Sequence, residues 1–580
     1  MVSKPACDSN RSESIMAGVR VSRRGALGVT LGGVTLGGGL FPAIVRAQGT
    51  AGRFTHNVAS GDPLATRVIL WTRYVPDGGG RATVRWQVAE DERFDTIVAQ
   101  GTSNTGPERD YTVKVDAAGL MPGRWYAYRF LVGDVVSPVG RTRTLPVGAV
   151  DRLGLALFSC SNLPFGHFHA YADAAARGDL ELAMHVGDYI YEYEQGKYPS
   201  KDQVLDGRPP LEPAGEIIKL ADYRARYGVY RTDPDLQAVH NRLPFLCVWD
   251  DHELANDTWR NGAEEHQPER EGPWPVRFKS AEQAYFEWMP IRGRPGKPIH
   301  RRFDVGQLAT LLMLDTRVEG RDQQFSYLTA LKTPADATPE QFAAACAAFR
   351  DGPLADPRRT LLGLPQERWL SRELKRSTER GIAWQVLGQQ IQMGRMSVPA
   401  GVSPALSPTL NERARQYVRF GVMVGQHGLP ANLDAWGGYP AARQRVLEAI
   451  VAAKASAVVL GGDTHNAWAF ELRDDRIAGA PSDRPIAVEF DTHAVTSPGF
   501  ESLLVDAPAG AAALVAGNPE LKWCNLKDRG YTALTFTPDS VTADFRVVTS
   551  IREKTGGIAA TVSARANRVS GGGVTGLTIS

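Results

Sequence analysis

The sequence predicts an α/β (α+β) fold preceded by a smaller all-β domain, and three observations predict it. From Phe54 to about Leu145, short apolar or alternating runs follow one another, separated by glycine and proline turns. After Val147 the pattern changes to apolar runs of strand length alternating with helical stretches. Most of the later strands stop at a polar cluster, as strands do where their carboxyl ends meet at a crevice.

The first 47 residues read as an address. Arg23-Arg24 precedes a mild apolar run from Leu27 to Ile44, and Val45-Arg46-Ala47 offers small residues at the positions a signal peptidase reads. Gly25, Gly28, Gly32, Gly33, Gly37, Gly38, Gly39 and Pro42 make that run a poor membrane anchor. The expectation is a twin-arginine (Tat) signal over 1–47, export by the Tat machinery of a bacterium, and a periplasmic or extracellular protein. No later stretch is long and apolar enough to span a bilayer.

Domain 50–147 is expected to be a β-sandwich of immunoglobulin or fibronectin type. Its strands include Arg67 to Arg73, Ala82 to Val88 and Trp125 to Phe130, with turns at Pro76-Asp77-Gly78-Gly79-Gly80 and Met121-Pro122-Gly123. No catalytic cluster lies inside it. Domain 150–555 carries strands at Leu153 to Phe158, Leu180 to Val186, Leu243 to Trp249, Gln307 to Leu314, Trp384 to Leu387 and Ala457 to Leu460. Helices are predicted at Phe168 to Arg177, Tyr223 to Tyr230, Lys279 to Trp288, Gln366 to Arg380 and Ala441 to Lys454, the last with Val446, Leu447, Ile450 and Val451 on one face. Strands at Ile486 to Phe490, Ala533 to Pro538 and Val541 to Val547 complete the domain. Segments 194–220, 320–362 and 394–435 read as long surface excursions. The glycine-rich 556–580 reads as a flexible tail.

Composition excludes little. With 43% apolar and 22% charged residues and a net charge of +2, the chain is an ordinary soluble globular protein with no nucleic-acid-binding patch. Any charge on a substrate must be met locally. Cys160, Cys247, Cys346 and Cys524 remain after signal removal, and Cys346 could pair with Cys524.

The chemistry lies at the strand ends: Cys160, Asp188 with Tyr191, Asp251-His252, Gln389-Gln390, and Asp463 with His465. One such aspartate is an ordinary turn former. Five clusters in one domain, mixing thiol, phenol, carboxylate, amide and imidazole, suit trivalent iron beside a second divalent ion better than zinc alone.

The motifs then become specific. Ser60-Gly61-Asp62-Pro63 with Leu70-Trp71-Thr72-Arg73, FSCSN (158–162), HVGDYIYEY (185–193), VWDDHE (248–253), AYFEWMP (284–290), LDTR (314–317), VLGQQ (386–390), GGDTHNAW (461–468) and Ser497-Pro498-Gly499 occur in the order of the PhoD-type alkaline phosphatase/phosphodiesterase family. That family is related to the calcineurin-like and purple-acid-phosphatase metallophosphoesterases. The resemblance implies a four-layer metallophosphoesterase-like β-sandwich flanked by helices. It also implies hydrolysis of phosphate mono- and diesters by a metal-activated water, with Fe3+ and Ca2+ as cofactors. By position it implies Cys160 and Tyr191 as iron ligands, Asp188 as the bridging carboxylate, and Asp463 with His465 as the last ligand pair. For the middle ligands it leaves Asp251 or Asn256, and Gln390 or Gln389. His252 is the expected proton or hydrogen-bond donor to the substrate, or an orienting residue beside the ligands. Arg317 is a candidate phosphate binder, with an ion pair to Asp315 as the plainer expectation. Trp436 and Tyr439 are expected to pack beneath the site. Within the enzyme class, a phospholipase D-like or teichoic-acid phosphodiesterase is the alternative; a non-catalytic metal- or phosphate-binding protein is the alternative outside it.

Overall fold

Strand Leu153–Phe158 shows how the layers arise. All six residues are buried; Leu155 and Leu157 face one core, Ala156 and Phe158 another. Side chains alternate between the faces of a strand, so a strand buried on both sides must lie between two layers. Leu155 and Leu157 meet Leu311, Val386, Val458 and Val488 of a second sheet. Ala156 and Phe158 face Tyr171, Tyr227 and Tyr285 of helices outside the first sheet.

The first sheet has ten strands, in the order Thr578–Ile579, Ile558–Asn567, Ser540–Val548, Gly530–Phe536, Leu153–Phe158, Leu182–His185, Pro244–Cys247, Arg53–Gly61, Arg67–Val75 and Thr112–Ala118. The second has seven: Arg301–Val305, Ala309–Met313, Trp384–Gly388, Ala457–Gly461, Ala487–Asp491, Ala467–Leu472 and Leu521–Asn525. Helices Gly363–Glu379 and Pro440–Ala453 cover the far side of the second sheet with Leu370, Leu374, Val446, Leu447 and Ile450. The order helix, sheet, sheet, helix is the expected four-layer architecture. Central strands in both sheets run parallel, Leu153–Phe158 beside Leu182–His185 and Trp384–Gly388 beside Ala457–Gly461, so their carboxyl ends gather on one edge.

The structure, a computed structural model, describes residues 52–333 and 337–580. The signal expected over 1–47 lies outside the described residues. Among those described, no helix is long and apolar enough to cross a membrane. The N-terminal β region is a sandwich around Val58, Val68, Leu70, Val84, Val88, Tyr128 and Phe130. One of its sheets has five strands, Ile97–Thr105, Ala82–Ala89, Trp125–Val132 and Val135–Val136, with Gly140–Arg143 also on Trp125–Val132. The other is the end of the ten-stranded sheet, joined by parallel pairing of Ser60 with Pro244 and Gly61 with Phe245. A side chain at Gly61 would strike the carbonyls of Phe245 and Pro290, so the junction requires glycine there.

Three expectations are corrected. The 556–580 segment is no loose tail: Ile558–Asn567 pairs along Ser540–Val548, and Ala564 and Ala566 are buried between the sheets. Ala564-Arg565-Ala566 alternates as a half-buried strand does, a signal outweighed by the glycines behind it. The excursions 320–362 and 394–435 carry helices Pro339–Phe349 and Glu412–Gln426, capped by Thr338 and Asn411. Phe349, Leu354, Val424, Leu429 and Leu433 give these excursions a small core of their own. Cys346 sits in that core and Cys524 on the edge strand Leu521–Asn525 of the second sheet, and all four described cysteines are free and buried.

Candidate metal centre

The candidate donors lie in the loops that follow strand ends at Phe158, His185, Cys247, Gly388 and Gly461, and sharp backbone turns aim several of them inward. Cys160, Asp188, Asp463 and His465 all have positive φ, between 54° and 65°. That region costs a residue with a side chain roughly 1–2 kcal/mol and clusters at functional sites. Glycines make room for it: a Cβ at Gly187 would collide with Asp250, and one at Gly462 with Ser159. The backbone N–H groups of Cys160 and Ser161 donate to the carbonyls of Gly187 and Asp188, at 3.2 and 2.8 Å, tying two strand ends together.

Donor atoms of Cys160, Asp188 and His465 lie within 4.8 Å of one another; so do those of Asp188, Asp251 and His252, and those of Asp250, Asp251 and Asp463. Asp188 belongs to the first two groups and Asp251 to the last two, so the three merge into one centre. The Tyr191 hydroxyl closes the first group, 3.1 Å from Asp188 Oδ2 and 3.2 Å from His465 Nε2. Buried oxygens Asp188 Oδ1, Asp250 Oδ2 and Asp251 Oδ1 have no hydrogen-bond partner among the described residues. A buried carboxylate oxygen without a partner is costly, and several converging on one place fit a polyvalent cation. Burial, with Asp250 the chief charged neighbour opposing ionisation, pushes Asp463 well above the usual carboxylate range. Burial likewise raises Asp188, against the opposing pull of His252, and lifts Asp250 to about 6. Burial also opposes ionisation of Asp251, but Arg317 and His252 outweigh it and hold that carboxyl at about 2. The Cys160 thiol is raised by burial and by Asp188. So many acids ionise together only beside concentrated positive charge.

Backbone and side-chain partners orient these donors. His465 Nδ1 faces the Pro498 carbonyl, which can only accept, so Nδ1 carries the proton and Nε2 keeps its lone pair toward Asp188 and Tyr191. Burial lowers His465 to about 3, leaving it neutral, the form a metal ligand needs. Ser497 Oγ holds the Tyr191 hydroxyl, and Arg529 holds the Ser497 carbonyl. Glu253 accepts the backbone N–H groups of Asp188, Tyr189 and Asp250. Glu192 Oε2 lies 2.7 Å from His252 Nδ1, and its Oε1 accepts the N–H of Asn256.

The candidates therefore separate. Cys160, Asp188, Tyr191, Asp251, Asp463 and His465 come together, with His252 beside them. Asn256 is half-buried; its backbone N–H donates to Glu192 Oε1, and its side-chain amide makes no hydrogen bond among the described residues. Gln390 differs from its expected role. Its Oε1 accepts from the N–H and hydroxyl of Thr316, and its Nε2 donates to the carbonyls of Trp249 and Leu314, so the amide is consumed in bracing strand ends. Gln389 is engaged the same way by Ile391 and Trp436. Arg317 also differs. Asp315 accepts only the backbone N–H groups of Arg317 and Val318, while the guanidinium pairs with Asp250, Asp434 and Asp463. Fully buried, with every nitrogen on a carboxylate, Arg317 is a counter-charge inside the acid cluster. Trp436 and Tyr439 are fully buried beneath it.

Sequence reasoning did not single out Asp250, Glu192, Glu253, Asp434 or Tyr198. Asp250 and Glu253 flank expected residues in VWDDHE, and Glu192 follows Tyr191, so proximity was the available signal. Asp434 arrives from a distant loop, and Tyr198 follows Tyr191 in the same loop without a local mark.

Fold and site define a class first: a four-layer protein with an acid-rich centre for polyvalent cations at the carboxyl edges of two stacked sheets. The model of the PhoD-like phosphatase family matches residues 155–545, and that of the PhoD-like phosphatase N-terminal domain matches residues 41–146. Alkaline phosphatase D of Bacillus subtilis (strain 168) is 36% identical over 531 residues, covering 89% of this chain and 80% of that protein. A solved structure of PhoD superposes with a TM-score of 0.73 at 33% identity, covering 92% of this chain and 93% of that one. The chain belongs to the PhoD-like phosphatase family.

Proposed function

We propose that this phosphatase is exported and hydrolyses phosphate mono- and diesters at an iron–calcium centre. The observation that carries the reading is the convergence of unpartnered carboxylate oxygens from Asp188, Asp250 and Asp251 with the thiol of Cys160 and the phenol of Tyr191. Cys160, Tyr191, His465 and Asp188 suit a ferric ion, and Asp188, Asp251 and Asp463 offer the oxygens calcium requires. Such ions supply Lewis-acid stabilisation of phosphoryl oxygens and bring the pKa of a water near neutrality.

The chain's own groups do the rest. Burial works against a charged His252, but Glu192, Asp188 and Asp251 outweigh it and raise its pKa well above the ordinary value. With Nδ1 committed to Glu192, the imidazolium donates from Nε2, to a phosphoryl or leaving-group oxygen. Arg317 keeps Asp463 and Asp250 in place by pairing with both. Glu253 fixes the backbone that carries Asp188 and Asp250.

The test is elemental analysis of the natively exported protein, with turnover of p-nitrophenyl phosphate and its bis ester measured side by side. Iron with calcium and turnover of both esters is expected. Turnover of the diester alone favours the phospholipase D-like or teichoic-acid reading. Stoichiometric phosphate uptake without product would make the protein a binder. Export is tested separately by Arg23→Lys with Arg24→Lys, which should retain the precursor inside the cell; undiminished export would overturn the Tat assignment.

A further inference from the structure

The metal-ligand candidates differ in their exposure to solvent. The side chains of Asp188 and Asp251 are 2% and 4% exposed, whereas those of Asp463 and His465 are 16% and 15% exposed. Solvent therefore meets the centre at the Asp463–His465 edge, and Tyr198 stands at that edge. Its hydroxyl is 3.1 Å from His465 Nδ1 and 3.4 Å from the Pro498 carbonyl. Because Nδ1 carries a proton toward Pro498, the phenol oxygen shares that proton and donates its own to the carbonyl. The Tyr198 ring lies 15° from parallel to His252 at 6.4 Å and 29° from parallel to His465 at 6.2 Å. Tyr191 and Tyr193 complete a group of rings, at 5.6 and 5.5 Å from Tyr198.

The segment bearing Tyr198 is pinned at several points. Gln195 N donates to Ala214 O, Leu205 N to Pro164 O and Ile217 N to Glu192 O, at 2.7, 2.8 and 3.0 Å. Leu211 N donates to Gln195 Oε1, and Arg226 donates to the carbonyls of Pro213 and Gly215. The neighbouring Lys197 is held by Glu265 and stands over the Tyr193 ring. What this wall offers a substrate is therefore ring surface in a fixed position.

With a phosphoryl group seated among Asp188, Asp251 and Asp463, the partly exposed Asp463–His465 edge, where Tyr198 stands, is the side on which its alcohol would meet solvent. We propose that Tyr198 is a specificity-determining residue that selects phosphoesters of planar aromatic alcohols, aryl or nucleoside, over those of short alkyl alcohols. The proposal rests on the phosphoester-hydrolase reading above. An aromatic pair adds about three- to tenfold in affinity beyond the area it buries.

The experiment compares phenyl phosphate with 2-glycerol phosphate in wild type, Tyr198→Phe and Tyr198→Leu, with bound metal measured in each. The wild type should prefer the phenyl ester. Tyr198→Leu should lower the ratio of kcat/KM for the two esters about three- to tenfold, chiefly through KM for the phenyl ester, without loss of metal, and Tyr198→Phe should preserve the ratio. An unchanged ratio in Tyr198→Leu, or equal losses on both esters accompanied by metal loss, would show that Tyr198 only supports His465. Binding of phenylphosphonate and methylphosphonate, measured calorimetrically in the same variants, keeps the two readings apart. An inactive wild type would count against hydrolysis, while the ratio of phosphonate affinities would still decide the role of Tyr198.

Discussion

The crevice edges of the two sheets use similar residues in opposite ways. On the ten-stranded sheet, Cys160, Asp188, Asp250 and Asp251 follow consecutive neighbouring strands, and each of the three aspartates retains an unpartnered buried oxygen. On the seven-stranded sheet Asp463 and His465, in the loop after Ala457–Gly461, supply the candidate donors, and Asp491 ends the neighbouring strand with both carboxylate oxygens buried and unpartnered among the described residues. Near that loop, Asp315 Oδ1 accepts two peptide N–H groups, and Gln390 is saturated by backbone carbonyls and by Thr316. A strand-end polar residue binds a ligand or braces the fold according to whether nearby peptide groups already satisfy it. The first sheet satisfies its turns from behind, through Glu253, which frees the aspartates in front. On the second, buried Glu489 caps the N–H groups of Met393 and Gly394 beyond Gln390, while the strand ends at Asp315 and Gln390 are braced by those side chains themselves.

This contrast can be broken or sharpened experimentally. The largest effect is expected at the oxygen shared by two donor groups: Asp188→Asn should lose roughly 10⁴-fold in kcat/KM together with metal content, read by steady-state kinetics and elemental analysis. Full metal content in that variant would remove Asp188 from the centre. Arg317→Met leaves Asp250, Asp434 and Asp463 without their counter-charge and should cost about 3–5 kcal/mol in denaturant unfolding of the metal-free protein.

The next effect depends on pH. Burial holds Asp250 at about 6, above the ordinary carboxyl value, so the folded state binds its proton more tightly than the unfolded chain does. Its contribution to stability is present in acid and is lost as pH rises through about 6. Between pH 4 and 8, metal-free wild type should therefore lose on the order of 2–3 kcal/mol relative to Asp250→Asn. Parallel stability curves for the two proteins would contradict this. The smallest effect is expected on the second sheet. Gln390→Leu should cost about 1–3 kcal/mol of stability, from unsatisfied carbonyls at Trp249 and Leu314, while the folded protein keeps its metal stoichiometry. Selective metal loss would restore Gln390 as a ligand.

Much of this was legible in one dimension. Apolar runs such as Leu153 to Phe158 and Ala457 to Leu460 are strands because a strand buried on both faces has no polar position to spare. Their polar endings marked the crevice, and the family motifs assigned the chain. The role of each ending was less legible. The DDHE run offers three acids in four positions, yet Asp251 faces the cluster while Glu253 turns back to cap three peptide N–H groups. VLGQQ reads like a ligand motif, but its amides meet peptide groups from other strands.

The sequence alone determined the all-β start, the core strands and helices of the α/β part and most of the chemically competent residues, because periodicity and strand length are local properties, while the family resemblance implied the four layers. Tertiary structure decided which of those residues remain free to bind. It turned Arg317 inward onto Asp250, Asp434 and Asp463, saturated Gln390, and brought Tyr198 to the open edge beside His465. The physical reason is that hydrogen-bond satisfaction is settled by partners far apart in the chain, and no local pattern records them.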